Sequence, residues 1–286
     1  MLERIYVEIG NICNLNCSFC HKTTRQSRVM SVEEYGNIVS KIKDKTKYVY
    51  LHVLGEPLLH KDLPEILRLS KQNGLKLCIT TNGTLLNNKG QYLLNCGSVH
   101  KVSISLHAPE GNGQTKLLDY LKNVTDFARQ AAEKGIYVVL RLWNKDSAEG
   151  VGQNSQNESI EAFLKACFTD EWLPHGKGLR LTKNIFLEYD GVFTWPADTK
   201  GEIKEQGFCY GLISQIGILA DGTVVPCCLD ADGDVALGNI FTESLDDILN
   251  SKRATDIKNG LSKGILTEAF CQKCTFKNRF KVRKQT

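Results

Sequence analysis

The sequence lacks any hydrophobic run long enough to cross a bilayer, and it lacks a strong excess of charge of either sign. Lys and Arg together number 36 and Asp and Glu 32, which gives a formal net charge of +4. Leu2-Glu3-Arg4 leads directly into a strand-like segment rather than into the apolar stretch of a secretory signal. These absences predict a cytoplasmic protein without a membrane partner.

The length and composition of the chain are those of an ordinary globular protein. Its 286 residues are 42% hydrophobic and 24% charged, and this length allows one large core, alone or with a small appended domain. Cysteine is the exception, with eleven residues. Cytosolic proteins rarely keep disulfides, so metal binding is the natural use for clustered cysteines. We expect the isolated Cys78, Cys96 and Cys167 to be small core residues instead.

The one dense basic run lies at the C-terminus. It consists of Lys277, Arg279, Lys281, Arg283 and Lys284. Such a run could contact an acidic partner or nucleic acid, but a solvated terminal tail is the simpler interpretation. We therefore expect no nucleic-acid partner.

Three cysteines, Cys13, Cys17 and Cys20, follow a short apolar segment with the spacing C-x3-C-x2-C. Three thiolates cannot complete a four-coordinate zinc site without a ligand from elsewhere, and a zinc knuckle with a distant fourth ligand is the alternative interpretation. They can hold three irons of a [4Fe–4S] cluster and leave the fourth iron open to a small chelating molecule.

This spacing, with the aromatic Phe19 directly before the third cysteine, resembles the signature of the radical S-adenosylmethionine (SAM) superfamily. The resemblance implies a [4Fe–4S] cluster whose open iron binds the amino and carboxylate groups of SAM, with Phe19 among the cofactor-binding residues. It implies reductive cleavage of SAM to a 5′-deoxyadenosyl radical, and a low-potential electron donor such as flavodoxin or ferredoxin. No residue that acts directly on the substrate is predicted.

Strand and helix patterns alternate through the first two thirds of the chain, which is typical of parallel βαβ units. The predicted strands are 4–9, 48–54, 75–80, 102–106, 136–142 and 179–187, and the predicted helices are 31–43, 63–73, 85–94, 115–134 and one from about 157. Six strands are too few for a closed eight-stranded barrel. We expect an α/β protein with an open partial (βα)6 TIM-like barrel, which the resemblance also implies.

Gly55 and Glu56 follow the second predicted strand, at the edge where α/β folds bind ligands. Glycine lets backbone carbonyls come close to a ligand, where they could accept hydrogen bonds from the SAM ammonium. The family usually has Gly-Gly-Glu at this position, and Leu54 replaces the first glycine here. An ordinary turn at the end of a strand is the alternative interpretation.

Polar residues also end the next three predicted strands. Asn82 and Ser105 carry compact polar groups that suit a ribose or a carboxylate, in positions that resemble the family's SAM-contacting edges. Arg141 could form a bidentate pair with the SAM carboxylate, or a surface salt bridge. His52 and His107 flank the same edge, where a hydrogen-bonded structural histidine is favoured over a catalytic one.

A second set of cysteines lies near the C-terminus, around a hairpin signal at Asp221-Gly222. The sequence around these cysteines resembles the auxiliary-cluster domains of the SPASM/twitch group, and the resemblance implies one auxiliary [4Fe–4S] cluster. The predicted ligands are Cys209, Cys227, Cys271 and Cys274. Adjacent residues on a strand point to opposite faces, so Cys228 is only a substitute for Cys227. Zinc, or a purely structural cluster, is the alternative.

These predictions give two domains, a radical SAM core at 1–200 and a small α+β auxiliary cluster domain at 208–286, with a linker at 198–207. The segment 145–156 is a candidate substrate loop or a plain surface loop. The first hypothesis for the function is peptide or protein modification. A small-molecule dehydrogenase or epimerase acting on a sugar or cyclitol is the second. A molybdopterin-type role is disfavoured because the sequence ends without paired glycines. A non-catalytic iron–sulfur or zinc redox sensor is the hypothesis from another class.

Overall fold

The computed structural model describes residues 1–111, 117–144, 155–191, 193–199 and 202–280. The chain divides into two compact units and passes between them more than once. The first unit comprises Met1–Ile12, His21–Gly55 and Phe193–Thr286, and the second comprises Cys13–Cys20 and Glu56–Val192. The domain boundaries expected from the sequence stay a prediction.

Helices and strands alternate along the described residues. The strands are β1 (Arg4–Val7), β2 (Tyr48–Tyr50), β3 (Lys76–Thr81), β4 (Val99–Ser105), β5 (Tyr137–Leu142), β6 (Leu173–His175), β7 (Gly178–Thr182), β8 (Ile185–Tyr189), β9 (Gln215–Ile218), β10 (Thr223–Val225) and β11 (Gly238–Asn239). The helices are α1 (Val32–Ile42), α2 (Leu63–Gln72), α3 (Leu86–Asn95), α4 (Ala108–Gly111), α5 (Leu117–Glu133), α6 (Asn157–Cys167), α7 (Leu245–Asn250), α8 (Lys252–Ser262) and α9 (Ala269–Lys273). Within this described part of the chain, no helix is both long and apolar enough to cross a membrane.

The second unit contains a sheet in which β3, β4, β5 and β8 are parallel neighbours. Their central side chains are buried, and Cys78 on β3 lies in this core as expected. Because parallel strands share one direction, their carboxyl ends lie along one edge. The register pairs Ser105 with Arg141, so these two predicted site residues are neighbours on that edge.

The sixth predicted strand, 179–187, is wrong as a single strand. It is a hairpin in which β7 runs antiparallel to β8, and β6 extends the sheet beyond β7. The reversal is made at Asn184, which adopts a φ of +63°. Asn tolerates this left-handed conformation better than most residues, so the turn was compatible with the sequence although the apolar pattern hid it.

In the first unit, β1 has a parallel neighbour on each side. β1 is parallel to β2 on one side and to β9 on the other, with Ile5 opposite Ile216. β10 returns antiparallel to β9 through the predicted turn, and Gly222 there has a φ of +86°. The hairpin is therefore confirmed, whereas its attachment to β1 was not foreseen from the sequence.

Local capping signals decide where helices of this unit begin. Ser31 accepts a hydrogen bond from Glu34 N and the Glu34 side chain accepts from Ser31 N, which is the predicted capping box of α1. Helix α8 was missed. Ser251 ends α7 and its hydroxyl caps α8, so one serine separates the two helices.

The predicted linker and basic tail are both more ordered than expected. In the described part of 198–207, Gly207 N donates to Gly264 O and Lys204 N to Gln272 O, so this segment lies along the C-terminal helices. Lys277 is only 7% exposed, which corrects the prediction of a solvated tail at this position. Lys281, Arg283 and Lys284 lie outside the described residues, as does most of the candidate substrate loop 145–156.

Candidate functional site

The loop 13–20 in the second unit presents the three N-terminal cysteines. Cys17 is buried and its Sγ lies 3.4 Å from the Ala108 carbonyl oxygen, whereas Cys13 and Cys20 are exposed. Leu15 N donates to Cys13 Sγ at 3.4 Å, a contact that would help to stabilise a thiolate at this position. The loop therefore offers two accessible thiols and one anchored thiol.

No three His, Cys, Asp or Glu side chains in the described ranges are gathered closely enough to hold a single metal ion. The thiolates of a cubane each bind a different iron, so they stand further apart than the four ligands of one zinc ion. A loop that supplies three thiols in eight residues fits three irons of a [4Fe–4S] cluster better than it fits zinc.

Asn82 connects the end of β3 to the cysteine loop. Its Nδ2 donates to Asn14 Oδ1 at 2.9 Å and lies 3.8 Å from Cys13 Sγ. Its Oδ1 accepts from Thr84 N and Thr84 Oγ1. All the amide's polar atoms are thus engaged in holding the loop. This contact with the loop was missed in the sequence, where Asn82 was expected to contact SAM directly.

The Glu56 side chain fixes the backbone of Asn82. The Glu56 carboxylate is 4% exposed and accepts from Leu58 N at 3.0 Å, Thr81 Oγ1 at 2.8 Å and Asn82 N at 2.8 Å. Burial raises the pKa of this carboxyl, and these hydrogen bonds oppose the rise. Tyr120, which the sequence did not single out, donates to Asn82 O at 2.9 Å. The strand end is therefore fixed by buried partners on both sides.

Gly55 belongs to the first unit, where the chain needs a glycine. Its φ is +77°, and a Cβ there would overlap the Gly10 carbonyl oxygen and lie 3.0 Å from Ile12 O. The sequence predicted that this backbone comes close to a ligand, and that contact stays a prediction. The close approach that the structure has is to Gly10 and Ile12, the backbone that precedes the cysteine loop in sequence.

Phe19, His107 and Arg141 form a connected group in the second unit. The rings of Phe19 and His107 are 4.9 Å apart, and His107 Nδ1 lies 3.1 Å from Arg141 O. Burial lowers the pKa of His107 to about 4, so this histidine is neutral and structural, as favoured from the sequence. Arg141 stacks on Trp143 at 4.3 Å, and its Nη1 lies 3.4 Å from Thr80 Oγ1.

Arg141 and Ser105 lie at the ends of neighbouring strands, β5 and β4. Arg141 Nε is 3.8 Å from Glu188 Oε2, a long contact, so the guanidinium makes a loose ion pair rather than a bidentate one. Ser105 is half-buried at the end of β4, and its carbonyl oxygen lies 3.5 Å from the Tyr120 hydroxyl. Both predicted SAM contacts are thus placed on the same strand edge.

A buried ion pair in the first unit anchors the chain that leaves the cysteine loop. Glu8 is fully buried and receives a bidentate contact from Arg25 Nη2 at 2.7 and 2.8 Å, together with Leu54 N and Ala220 N. Arg25 Nε donates to Ala231 O. An acidic residue directly after an apolar strand is a sequence sign of a buried ion pair, but the partners of Glu8 are too distant in sequence to be predicted.

His21, which directly follows Cys20, is held by two carboxylates of the same unit. Its Nδ1 lies 2.9 Å from Asp198 Oδ2 and its Nε2 lies 2.5 Å from Asp232 Oδ2. Although burial opposes it, hydrogen bonds to Asp198 and Asp232 raise the pKa of His21. Thr23 Oγ1 also donates to Asp232, so this aspartate fixes two residues of the segment.

The four predicted auxiliary ligands come together within the first unit. Burial raises the pKa of all four thiols, and in the case of Cys271 burial and the neighbouring thiols of Cys209 and Cys274 raise it to about 12. Cys227 in turn interacts with Cys209 and Cys271. Buried thiols that resist ionisation become thiolates when a metal binds them, so this donor set fits a closed iron–sulfur cluster.

The reason given for choosing Cys227 over Cys228 was wrong. β10 ends at Val225, so both cysteines lie in the turn beyond the strand and the alternation of strand faces does not apply. Their environments still differ. Cys228 packs against an apolar cluster and hydrogen-bonds Tyr6, and burial raises its pKa to about 11. Cys227 remains the better candidate ligand because it interacts with two of the other three.

Comparisons with known proteins agree with both cysteine sets. The family model of the radical SAM superfamily matches residues 7–144, and that of an iron–sulfur cluster-binding domain matches residues 209–275. A probable GTP 3′,8-cyclase from Metallosphaera sedula is 32% identical over 173 residues, covering 56% of this chain and 54% of that protein. One from Methanococcus maripaludis is 35% identical over 131 residues, covering 43% of each. The chain spans about half the length of the curated relatives it matches.

Solved structures share the fold at low sequence identity. BtrN in complex with AdoMet and 2-DOIA has a TM-score of 0.64 at 17% identity, covering 96% of this chain and 93% of that one. Streptococcus suis SuiB bound to precursor peptide SuiA has a TM-score of 0.60 at 15% identity, covering 95% and 76%. The predicted α/β fold, an open partial TIM-like barrel with a C-terminal cluster domain, is thereby confirmed.

The three-cysteine loop, the fold and the two family models lead to one assignment. The radical SAM domain binds a [4Fe–4S] cluster and SAM, and the C-terminal domain is an auxiliary iron–sulfur cluster-binding domain. Residues 7–144 of the chain therefore belong to the radical SAM superfamily, and residues 209–275 to an iron–sulfur cluster-binding domain family.

Proposed function

We propose that this protein cleaves SAM reductively and uses the product to abstract hydrogen from a substrate carbon. The observation that carries the proposal is the loop 13–20, which presents three thiols and is tethered to the end of β3 by the contacts of Asn82 with Asn14 and Cys13. When bound, the reduced cluster and SAM supply a 5′-deoxyadenosyl radical, and the chemistry of that radical belongs to the cofactor.

The residues of the second unit have distinct parts in this proposal. Cys13, Cys17 and Cys20 hold three irons and leave the fourth for SAM. Asn82 orients the loop, and Glu56 fixes Asn82. Ser105 and Arg141 supply a hydroxyl and a cation on the same strand edge, which suits the ribose and the carboxylate of SAM. Gly55, in the first unit, supplies backbone without a side chain.

We test this first step by counting 5′-deoxyadenosine released from SAM by anaerobically reconstituted, dithionite-reduced protein. Cys17→Ala should abolish release, because an iron loses its thiolate, while the secondary structure is kept. Cys167→Ala is the matched control, since this half-buried cysteine ends α6 away from either set. SAM should also change the EPR spectrum of the reduced cluster. Wild-type release from Cys17→Ala would refute the assignment of Cys17 as a ligand. No release from the wild-type protein, together with an EPR spectrum that SAM does not change, would favour a closed redox sensor.

For the auxiliary site we propose Cys209, Cys227, Cys271 and Cys274 as ligands of one closed cluster that accepts an electron from the substrate. When bound, such a cluster would take one electron from the substrate after the radical has removed one hydrogen atom, and one proton would pass to solvent. Cys274→Ala should leave SAM cleavage intact and stop product formation. Full product yield from Cys274→Ala would remove this role.

The proposed substrate is a peptide or a protein side chain. Two solved structures with this fold were determined with peptides, SuiB with precursor peptide SuiA and anSMEcpe with Cp18Cys peptide. The test is incubation with SAM, reductant and a short peptide encoded beside the gene, read by mass spectrometry. A mass change that requires Cys17 is expected. SAM turnover that the peptide neither accelerates nor couples to a product would count against it.

A second candidate is oxidation or epimerisation of a small sugar-like or cyclic polyol. It is favoured by the mutual coverage with the BtrN complex with AdoMet and 2-DOIA, 96% and 93%. GTP belongs in the same assay because of the name that the curated relatives carry. A modified small molecule, found where no peptide reacts, would replace the peptide proposal. We place the reaction in the cytoplasm, since all eleven cysteines are thiols and reduced clusters need a reducing compartment.

A further inference from the structure

Lys277 is a buried cation beside the auxiliary cysteines. It is 7% exposed, and its Nζ donates to Cys271 O at 3.2 Å and to Gln272 O at 2.6 Å. These are carbonyls of the last turn of α9, which carries Cys271 and ends at Cys274. The ammonium is therefore held by the backbone of the ligand-bearing segment itself.

This ammonium has no carboxylate counter-ion. Within the described ranges, no Asp or Glu oxygen lies within ion-pair distance of Lys277, although Arg253 on the neighbouring helix α8 pairs with Glu268. Burial of a charge without an opposite charge is strongly unfavourable. Two carbonyl dipoles offset only part of that penalty, so the site requires a source of negative charge.

The nearest source of negative charge is the set of thiols. Lys277 interacts electrostatically with Cys209, Cys271 and Cys274, three of the four proposed ligands. A cubane held by four thiolates is negative in every redox state, and reduction adds one more electron. A fixed cation therefore stabilises the reduced form more than the oxidised form.

A series of half-buried aromatic rings accompanies these cysteines. Successive ring contacts of 5.1 to 5.6 Å link Phe193, Phe276, Phe280, Tyr210 and Phe208. Two of these residues flank Cys209 in sequence and another follows Cys274 by two positions. An apolar surround lowers the local dielectric constant and makes a buried charge act more strongly.

We infer that Lys277 is the counter-ion of the auxiliary cluster and raises its reduction potential, so that the cluster accepts an electron more readily. The inference rests on the proposed four-cysteine ligand set. It makes Lys277 a positioning residue that acts on the substrate only through the cluster. The alternative is that Lys277 merely caps α9 through its two carbonyl contacts.

The experiment uses full-length protein in which Cys13, Cys17 and Cys20 are all alanine, so that only the auxiliary cluster remains. Iron content and the midpoint potential, followed by EPR, are compared for this background and for Lys277→Gln, Lys277→Arg and Lys273→Gln. Gln keeps a hydrogen-bond donor and removes the charge. Lys273 is the matched control, because it is exposed on the same helix one residue before Cys274.

Lys277→Gln should lower the midpoint potential so that the reduced-to-oxidised ratio falls about tenfold, which is about 59 mV for a one-electron couple. Lys277→Arg should restore most of the shift, and Lys273→Gln should change little because water screens its charge. An unaltered potential in Lys277→Gln with four irons retained overturns the inference. Absence of iron from the background itself refutes the ligand set instead.

If Lys277→Gln does not retain iron, the thermal stability of the iron-free protein decides. Iron-free stability equal to the background supports the counter-ion, because removal of an unpaired buried ammonium does not harm the empty fold. Lower iron-free stability that Lys277→Arg does not restore assigns Lys277 to helix capping and overturns the inference.

Discussion

Replacement of Glu56 by Gln tests whether a buried carboxylate positions the cysteine loop. One carboxylate oxygen accepts from Leu58 N and Thr81 Oγ1, and the other accepts from Asn82 N. An amide has the same shape but offers one acceptor oxygen and one donor group. If the oxygen keeps Leu58 and Thr81, then the amide nitrogen faces the N–H of Asn82, and this backbone donor loses its partner.

The loss of stability expected for Glu56→Gln follows from these contacts. A buried donor left unsatisfied costs about 1–3 kcal/mol. For a chain of 286 residues the entropy of unfolding is about 0.6 kcal/mol/K, so the midpoint should fall by about 2–5 °C. Because Asn82 carries the tether to Asn14 and lies beside Cys13, the rate of SAM cleavage should fall about 10- to 100-fold.

The assay measures thermal unfolding of iron-free protein by circular dichroism and 5′-deoxyadenosine release by reconstituted protein. Glu65→Gln is the matched control, since the Glu65 side chain on α2 is 42% exposed and forms a salt bridge with Arg68. We expect the control to keep both properties. If Glu56→Gln unfolds at the wild-type temperature and cleaves SAM at the wild-type rate, then Glu56 does not position the loop.

Three further predictions concern other parts of the site. Gly55→Ala should lower the free energy of unfolding in urea by about 2 kcal/mol or more, because the new side chain combines a positive φ with overlap of Gly10 O. Gly74→Ala is the control, since Gly74 has a φ of +70° and open space around it, so this variant measures the cost of the positive φ alone. Equal losses of stability in the two variants would disprove the close approach at Gly55. The unfolded chain binds a proton at His107 near pH 6.5 that the folded protein binds only near pH 4, so the unfolding free energy should fall by up to about 3 kcal/mol as pH drops across that window. His107→Gln should flatten this urea-derived profile, and an unchanged slope would contradict the assignment. Asp232→Asn should reduce iron retention in the N-terminal loop, because it weakens the contacts of Asp232 with His21 and Thr23. Asp234→Asn alters an exposed residue and should not reduce iron retention. Equal iron retention in both variants would show that the contacts of Asp232 are dispensable.

Local features of the fold could be predicted because their causes lie within a few residues. Ser31 and Glu34 form their capping box from neighbouring backbone groups, and Asp221-Gly222 makes the only tight turn its flanking strands allow. The alternation of apolar segments gave the parallel strand order of β3, β4 and β5. It failed at 179–187, because one apolar run can be either a long strand or a hairpin until its partners are known.

Residue roles in the candidate site were harder to predict. The cysteine spacing predicts the ligands, because ligation depends on residue type and separation, and this assignment stays a prediction. Asn82 and Glu56 were predicted as cofactor-binding residues, and in the structure their side chains hydrogen-bond other protein groups. Which polar group is consumed by an internal hydrogen bond depends on neighbours that the sequence places tens of residues away.

By itself, then, the sequence determined the kind of cofactor, because three thiols in eight residues can only be arranged around metal in a few ways. It also determined most of the helices and strands, whose signals are short-range. Only the tertiary structure decided that β9 lies beside β1, that Glu8 is neutralised by Arg25, and that Lys277 is buried among thiols instead of solvated. The physical reason is that burial and charge pairing are properties of neighbours in space, and chain closure brings those neighbours together from opposite ends of the sequence.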